Sequence, residues 1–188
     1  MRCFIAIDIG EEIRRALSDL QRKVQDAAQL NRGCVRWVKP ENIHLTLKFL
    51  GEIKDQKSIE VCDIVADVVS GHNCFELGIE SLGHFGGRNA RALWVGTGAG
   101  SDNLCRLQKD LEQRLASAGW PEDEREFAGH LTLCRIKDNR AGIKLAQTAE
   151  EYKNLKLGTV RVDSVSVYHS RLTPAGPVYT VLGNYKLQ

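Results

Sequence analysis

A four-residue stretch occurs twice in this chain, and it limits the possible folds more than any other feature. His44-Leu45-Thr46-Leu47 opens the run HLTLKFLG, and His130-Leu131-Thr132-Leu133 opens HLTLCRIK. Histidine is scarce, with five in 188 residues. A chance match of three residues behind one histidine pair is therefore rare, and an internal repeat is the better reading. Leu-Thr-Leu is aliphatic and β-branched and suits an extended strand. Side chains alternate faces along a strand, so each copy buries its leucines and presents an imidazole beside a hydroxyl. Two copies facing each other across a pseudo-twofold axis would line one groove with His44, Thr46, His130 and Thr132.

Periodicity places the remaining elements. Residues 2–9 read as a strand, and Ile13, Leu17, Leu20 and Val24 recur at helical spacing, so 11–29 reads as an amphipathic helix stopped by Asn31-Arg32-Gly33. A short strand over 34–38 leads to the first motif strand, 43–50. A helix over 57–70 precedes a strand over 75–80, a loop over 82–87 carrying Phe85, and a strand over 92–95. Ser101 is the expected N-cap of a helix whose stripe is Leu104, Leu107, Leu111 and Leu115. The second motif strand covers 127–136, a helix 141–154, and one strictly alternating strand 160–168. The turn at 173–177 returns the chain as a hairpin partner over 178–182. Four helices and about eight strands without a regular βαβα beat predict an α+β fold with antiparallel or mixed sheets. Two strand–helix–strand halves, each holding one motif, predict a single bilobal domain over 1–188 with helices on the outer faces and a central cleft.

Composition narrows the function. The chain is 43% hydrophobic and 27% charged with a formal charge of +2, which excludes a broad basic coat for nucleic acid and leaves room for a local basic groove. Arg32, Arg36, Lys39, Lys48, Arg88, Arg91, Arg135, Lys137 and Arg140 fall near the motif blocks, and most read as solvated surface charges. The six cysteines show no C-x-x-C or Cys/His spacing of a zinc site. No apolar run approaches a membrane span. A cytoplasmic protein with reduced thiols is expected. Balanced charge and the lack of a heptad seam predict a monomer with no obligate protein partner.

Two histidines in one cleft suit acid–base chemistry. Imidazole titrates near neutrality, so one can give a proton while the other takes one, as phosphodiester cleavage requires. Thr46 and Thr132 can donate hydrogen bonds to non-bridging phosphate oxygens. This logic calls for no metal and no cofactor. Trp37, Phe85 and Tyr168 are candidates to stack a base, with Ser170 in the same groove. His72, His84 and His169 lack the x-Thr-x context and read as structural or exposed.

The paired motifs resemble the two-histidine phosphoesterase superfamily. RCFIAIDI, RWVKPENIHLTLKFLG, the GHF…ARALWVG segment, EFAGHLTLCRIK and VYHSRLTPAGPVYTVL, in that order along nearly the whole chain, are similar to LigT-type RNA 2′,3′-cyclic phosphodiesterases. The resemblance implies the bilobal fold and the hydrolysis of RNA 2′,3′-cyclic phosphate ends to 2′-phosphomonoesters, with reversible 2′–5′ ligation as a further capacity. It implies His44 as proton donor, His130 as the acceptor that activates water, and Arg135 as a phosphate contact. Arg135 is out of phase with His130 and Thr132, so the strand must twist or bulge past Cys134 for the guanidinium to reach the groove. Family members carry Pro directly before the second histidine, where this chain has Gly129. Two alternatives stay open: the same chemistry on small nucleotides such as an ADP-ribose cyclic phosphate, and a nucleotide- or RNA-binding module without turnover.

Overall fold

The computed structural model describes every residue except Arg32 and Ala175. The expected stop at 31–33 and turn at 173–177 therefore lie partly outside the described residues. Among the described residues, nine strands and four helices follow in the order β1 (Arg2–Ile7), α1 (Gly10–Ala27), β2 (Val35–Trp37), β3 (Leu45–Glu52), α2 (Asp55–Val69), β4 (Phe75–Phe85), β5 (Ala92–Thr97), α3 (Ser101–Ser117), β6 (His130–Ile136), α4 (Asn139–Glu151), β7 (Lys156–Val162), β8 (Ser164–Thr173) and β9 (Gly176–Lys186). A 3₁₀ turn, Pro40–Asn42, precedes β3. Proline at its first position supplies the fixed φ that starts such a turn.

The strands form two sheets, ordered β3-β1-β8-β9 and β2-β6-β5-β4-β7, and every pairing is antiparallel. Each sheet holds one motif strand, as the repeat predicts, but the lobes are not successive halves of the chain. The first sheet joins the start of the chain to its end. The second takes the middle plus β2. The alternating run over 160–168 is accordingly two strands. β7 ends at Val162 in the second sheet, and β8 begins at Ser164 in the first. Period-2 alternation satisfies both sheets equally and carries no sign of the crossing at Asp163.

Three local expectations change. β4 runs on through Phe85 where a loop was expected, because Ser81 adopts a left-handed φ of 65° and a bulge there lets pairing with β5 resume. β3 runs past Gly51 to Glu52. Gly100, with φ 88°, caps α3, and Ser101 becomes its first helical residue. The Ser101 hydroxyl instead donates to Thr97 Oγ1 at 2.8 Å.

The core is one continuous cluster beneath both sheets. It contains Cys3, Ile5 and Ile7 of β1, Leu45 and Leu47, Leu131 and Leu133, and the whole α3 stripe. α1 and α4 pack behind the second sheet and α2 behind the first. Lys48, expected on the surface, is 3% exposed. Its ammonium pairs with Glu112 at 2.6 Å and Asp123 at 3.2 Å and donates to the Pro121 carbonyl at 2.8 Å, tying the first motif strand to the loop that leads into the second. Burial pushes the Cys134 thiol up to about 12, as befits a small hydrophobe. Among the described residues, no helix is long and apolar enough to cross a membrane.

Candidate active site

The two motif strands abut, β3 from one sheet against β6 from the other, and their helix-free faces carry the expected groups. The leucines of both motifs are buried while His44, Thr46, His130 and Thr132 are half-buried, so the alternation read from sequence holds in both copies. His130 is tethered to backbone two residues earlier, its Nδ1 2.8 Å from the Ala128 carbonyl oxygen, and the Asn42 backbone stands in the same relation to His44, where it pulls the imidazole pKa upward. When Nδ1–H of His130 donates to that carbonyl, Nε2 is left with its lone pair free.

The surroundings of the two rings differ. His44 stacks on Phe4 with centroids 4.6 Å apart and meets the edge of Tyr179 at 5.2 Å. Tyr168 lies behind Phe4 at 5.1 Å and is 6.2 Å from His44. This aromatic cage desolvates His44 and pulls its pKa down to about 4, against smaller upward pulls from the Asn42 backbone and from Asp8. His130 instead meets the edge of Phe85 at 5.2 Å, with Trp94 at 6.2 Å. Trp94 lies across Gly83, where an added Cβ would fall 2.3 Å from the indole. Only glycine permits that layering.

Arg135 reaches this face through a bulge. β5 pairs Leu93 with Cys134 and Trp94 with Thr132, leaving Leu133 unopposed. The extra residue reverses the parity: Cys134 and Ile136 are buried, and Arg135 emerges on the side of His130 and Thr132. Burial raises the Tyr179 phenol, while the guanidiniums of Arg2 and Arg135 pull it down. The Arg135 charge is therefore felt across the cleft, beside the His44 cage. Arg36 stands next to Arg135 in register.

The same bulge recurs in the first motif. β1 pairs Ile5 with Lys48 and Ala6 with Thr46, leaving Leu47 unopposed. The counterpart of Arg135 is then Phe49, which is 62% exposed with its ring 6.2 Å from that of Phe4. Sequence reasoning missed Phe49, Phe4 and Tyr179, although the repeat offered a signal for the first. If Arg135 needs a bulge to reach the groove, the same step in the sister motif brings out Phe49.

Other expected residues divide. Phe85 and Tyr168 flank the two histidines. Ser170 pairs with Arg2 and Tyr179, one step outward from Tyr168 on the same face. Trp37 is not brought into the group. It pairs with Cys134 and packs against the core. At Gly129 a Cβ would fall 2.6 Å from Leu104 Cδ2 and 3.0 Å from Thr97 Oγ1, so here close packing restrains the approach to His130. A cavity of about 370 Å³ elsewhere holds His72, paired with Asp110 at 3.0 Å, and neither motif histidine.

Comparison with known proteins agrees with this duplicated arrangement. The model of the family described as LigT like Phosphoesterase matches twice, over residues 7–94 and 95–179, so each match contains one motif. A Methanothermobacter thermautotrophicus protein named RNA 2′,3′-cyclic phosphodiesterase is 35% identical over 188 residues, covering 100% of this chain and 99% of its own. The crystal structure of TT0787 of Thermus thermophilus superposes with a TM-score of 0.81 at 27% identity, covering 100% of this chain and 98% of that one. That of E. coli LigT complexed with 3′-AMP shares the fold at TM-score 0.77 and 24% identity, covering 99% and 97%. With both halves matched and the whole length shared, this chain belongs to the LigT-like phosphoesterase family.

Proposed function

We propose that this chain hydrolyses RNA 2′,3′-cyclic phosphate ends to 2′-phosphomonoesters by acid–base catalysis between two histidines, without a metal. The observation that carries the reading is the repeated unit itself: a half-buried imidazole beside a half-buried threonine, over buried leucines, on each of two abutting strands. In the reaction His130 Nε2 takes a proton from water as its oxygen attacks phosphorus. The bond from phosphorus to the 3′ oxygen breaks, and His44 gives that oxygen its proton. Thr46, Thr132 and Arg135 hold the non-bridging oxygens, where charge grows.

The cage around His44 fits an acid that is charged only with substrate present. Burial keeps the ring neutral near pH 7. A cyclic phosphate brings a negative charge into the same low-dielectric space and favours the imidazolium there. Phe49 on one wall and Phe85 on the other offer exposed rings to a base, with Tyr168 and Ser170 set further back. Arg2, Arg36 and Arg135 give the cleft a local positive field suited to an RNA end. We read the chain as one domain because its lobes exchange strands from distant parts of the sequence, as cytoplasmic because its six thiols are free, and as a monomer because its formal charge is nearly balanced at +2 and its sequence has no heptad seam.

Phosphate-end analysis of a short RNA carrying a 2′,3′-cyclic phosphate, incubated with EDTA, tests this reading. The wild type should yield a 2′-phosphate, with His44→Ala and His130→Ala each slower by about 10²-fold or more. Conversion at the wild-type rate by either variant would overturn the assignment. Binding of the RNA without any conversion would leave a recognition module.

A further inference from the structure

We propose that Gln21, on the back of the second sheet, is the positioning residue that holds the β6 bulge and so keeps Arg135 in the cleft. The inference rests on the phosphate-binding role of Arg135 given above. Gln21 lies on the buried face of α1 among Leu17, Leu20 and Val24 and is only 8% exposed. A polar side chain there needs partners, and it has two. Its amide nitrogen donates to the Leu133 carbonyl at 3.0 Å and to the Val38 carbonyl at 2.8 Å. Leu133 is the unopposed residue of the bulge. Its carbonyl also accepts from the Val38 N–H at 2.9 Å. One amide therefore staples the end of β2 and the bulge of β6 to a single helix.

The staple matters because the bulge competes with regular pairing. Regular pairing would exchange the faces of Cys134 and Arg135, sending the thiol to the cleft and the guanidinium toward the core. The Val38 carbonyl would then lose its Gln21 donor in a buried setting and the Leu133 carbonyl one of its two donors, which the protein resists. Gln21 touches no reacting atom, so its whole effect on the reaction passes through the placement of Arg135.

The test is a double-mutant cycle on a nucleoside 2′,3′-cyclic phosphate using wild type, Gln21→Met, Arg135→Ala and the double variant. Gln21→Met keeps the length of the side chain and removes the amide. It should lower kcat/KM about tenfold, and Arg135→Ala by about 10²-fold or more. In the Arg135→Ala background the added loss from Gln21→Met should shrink to about twofold or less. A repeated tenfold loss there, or a wild-type kcat/KM for Gln21→Met alone, overturns the proposal. Should Gln21→Met not fold, Gln21→Ser leaves room for a water and takes its place in the same cycle. Affinity for inorganic phosphate, measured calorimetrically on the same four proteins, should show the same coupling. Because it needs no turnover, it decides the role of Gln21 even if the wild type proves inactive on cyclic phosphates.

Discussion

Burial of His44 makes the stability of this protein depend on pH in a calculable way. The unfolded chain has this imidazole at its ordinary pKa of 6.5, and the aromatic cage lowers it to about 4. The folded-state value is depressed, so protons bind the unfolded chain more tightly. The stabilisation from the buried neutral ring is fully present above pH 6.5 and is lost as pH falls from 6.5 through 4. The gap of some 2.5 pKa units corresponds to about 3 kcal/mol, a large part of the stability of an ordinary domain. His44→Phe keeps an aromatic ring on Phe4 and removes the titration. Urea unfolding of both proteins at pH 7.5, 5.5 and 4 isolates the effect, because the carboxylates that titrate over the same range are common to both. The variant should gain about 3 kcal/mol relative to wild type between pH 7.5 and pH 4. A difference that stays flat would refute the argument that the cage of Phe4 and Tyr179 keeps this ring neutral.

Two further outcomes follow from residues placed on either side of the site. Phe49→Ala should raise KM for nucleoside cyclic phosphates about 5- to 150-fold, from the loss of one base–ring stack, while the melting temperature barely moves because the ring is 62% exposed; steady-state kinetics with a thermal melt reads both. Lys48→Met strips Glu112 of its buried partner and should cost about 3 kcal/mol in urea unfolding, with Lys48→Met/Glu112→Leu recovering most of that loss.

Repetition makes the site legible in the sequence. His44, Thr46, His130 and Thr132 are identifiable because a period-2 strand fixes which residues share a face, and both copies obey it. Arg135 is legible as a conflict: its parity disagrees with its expected role, and the bulge at Leu133 resolves the conflict. Pairing between sheets is not legible. β7 and β8 read as one strand because nothing in an alternating run says which neighbour it will find. Lys48 reads as surface because the acidic partners that make its burial tolerable, Glu112 and Asp123, are remote in sequence. The cage around His44 is hidden for the same reason: Phe4, Tyr168 and Tyr179 come from opposite ends of the chain and meet only once β1, β8 and β9 pair.

That pairing also orders events in time. During synthesis the second sheet has all its strands once residue 162 has emerged, so it can close around α1 and α4 with β6 in place. β1 and β3 are both made before residue 53, yet β1 lies between β3 and β8 and lacks one neighbour until β8 is made. Phe4 and its share of the His44 cage must wait exposed on a two-stranded ribbon, the least stable kind of sheet. The half of the proposed catalytic pair encoded earliest is thus the last to mature, and a chain truncated after β7 would keep His130 in place while His44 had no finished pocket.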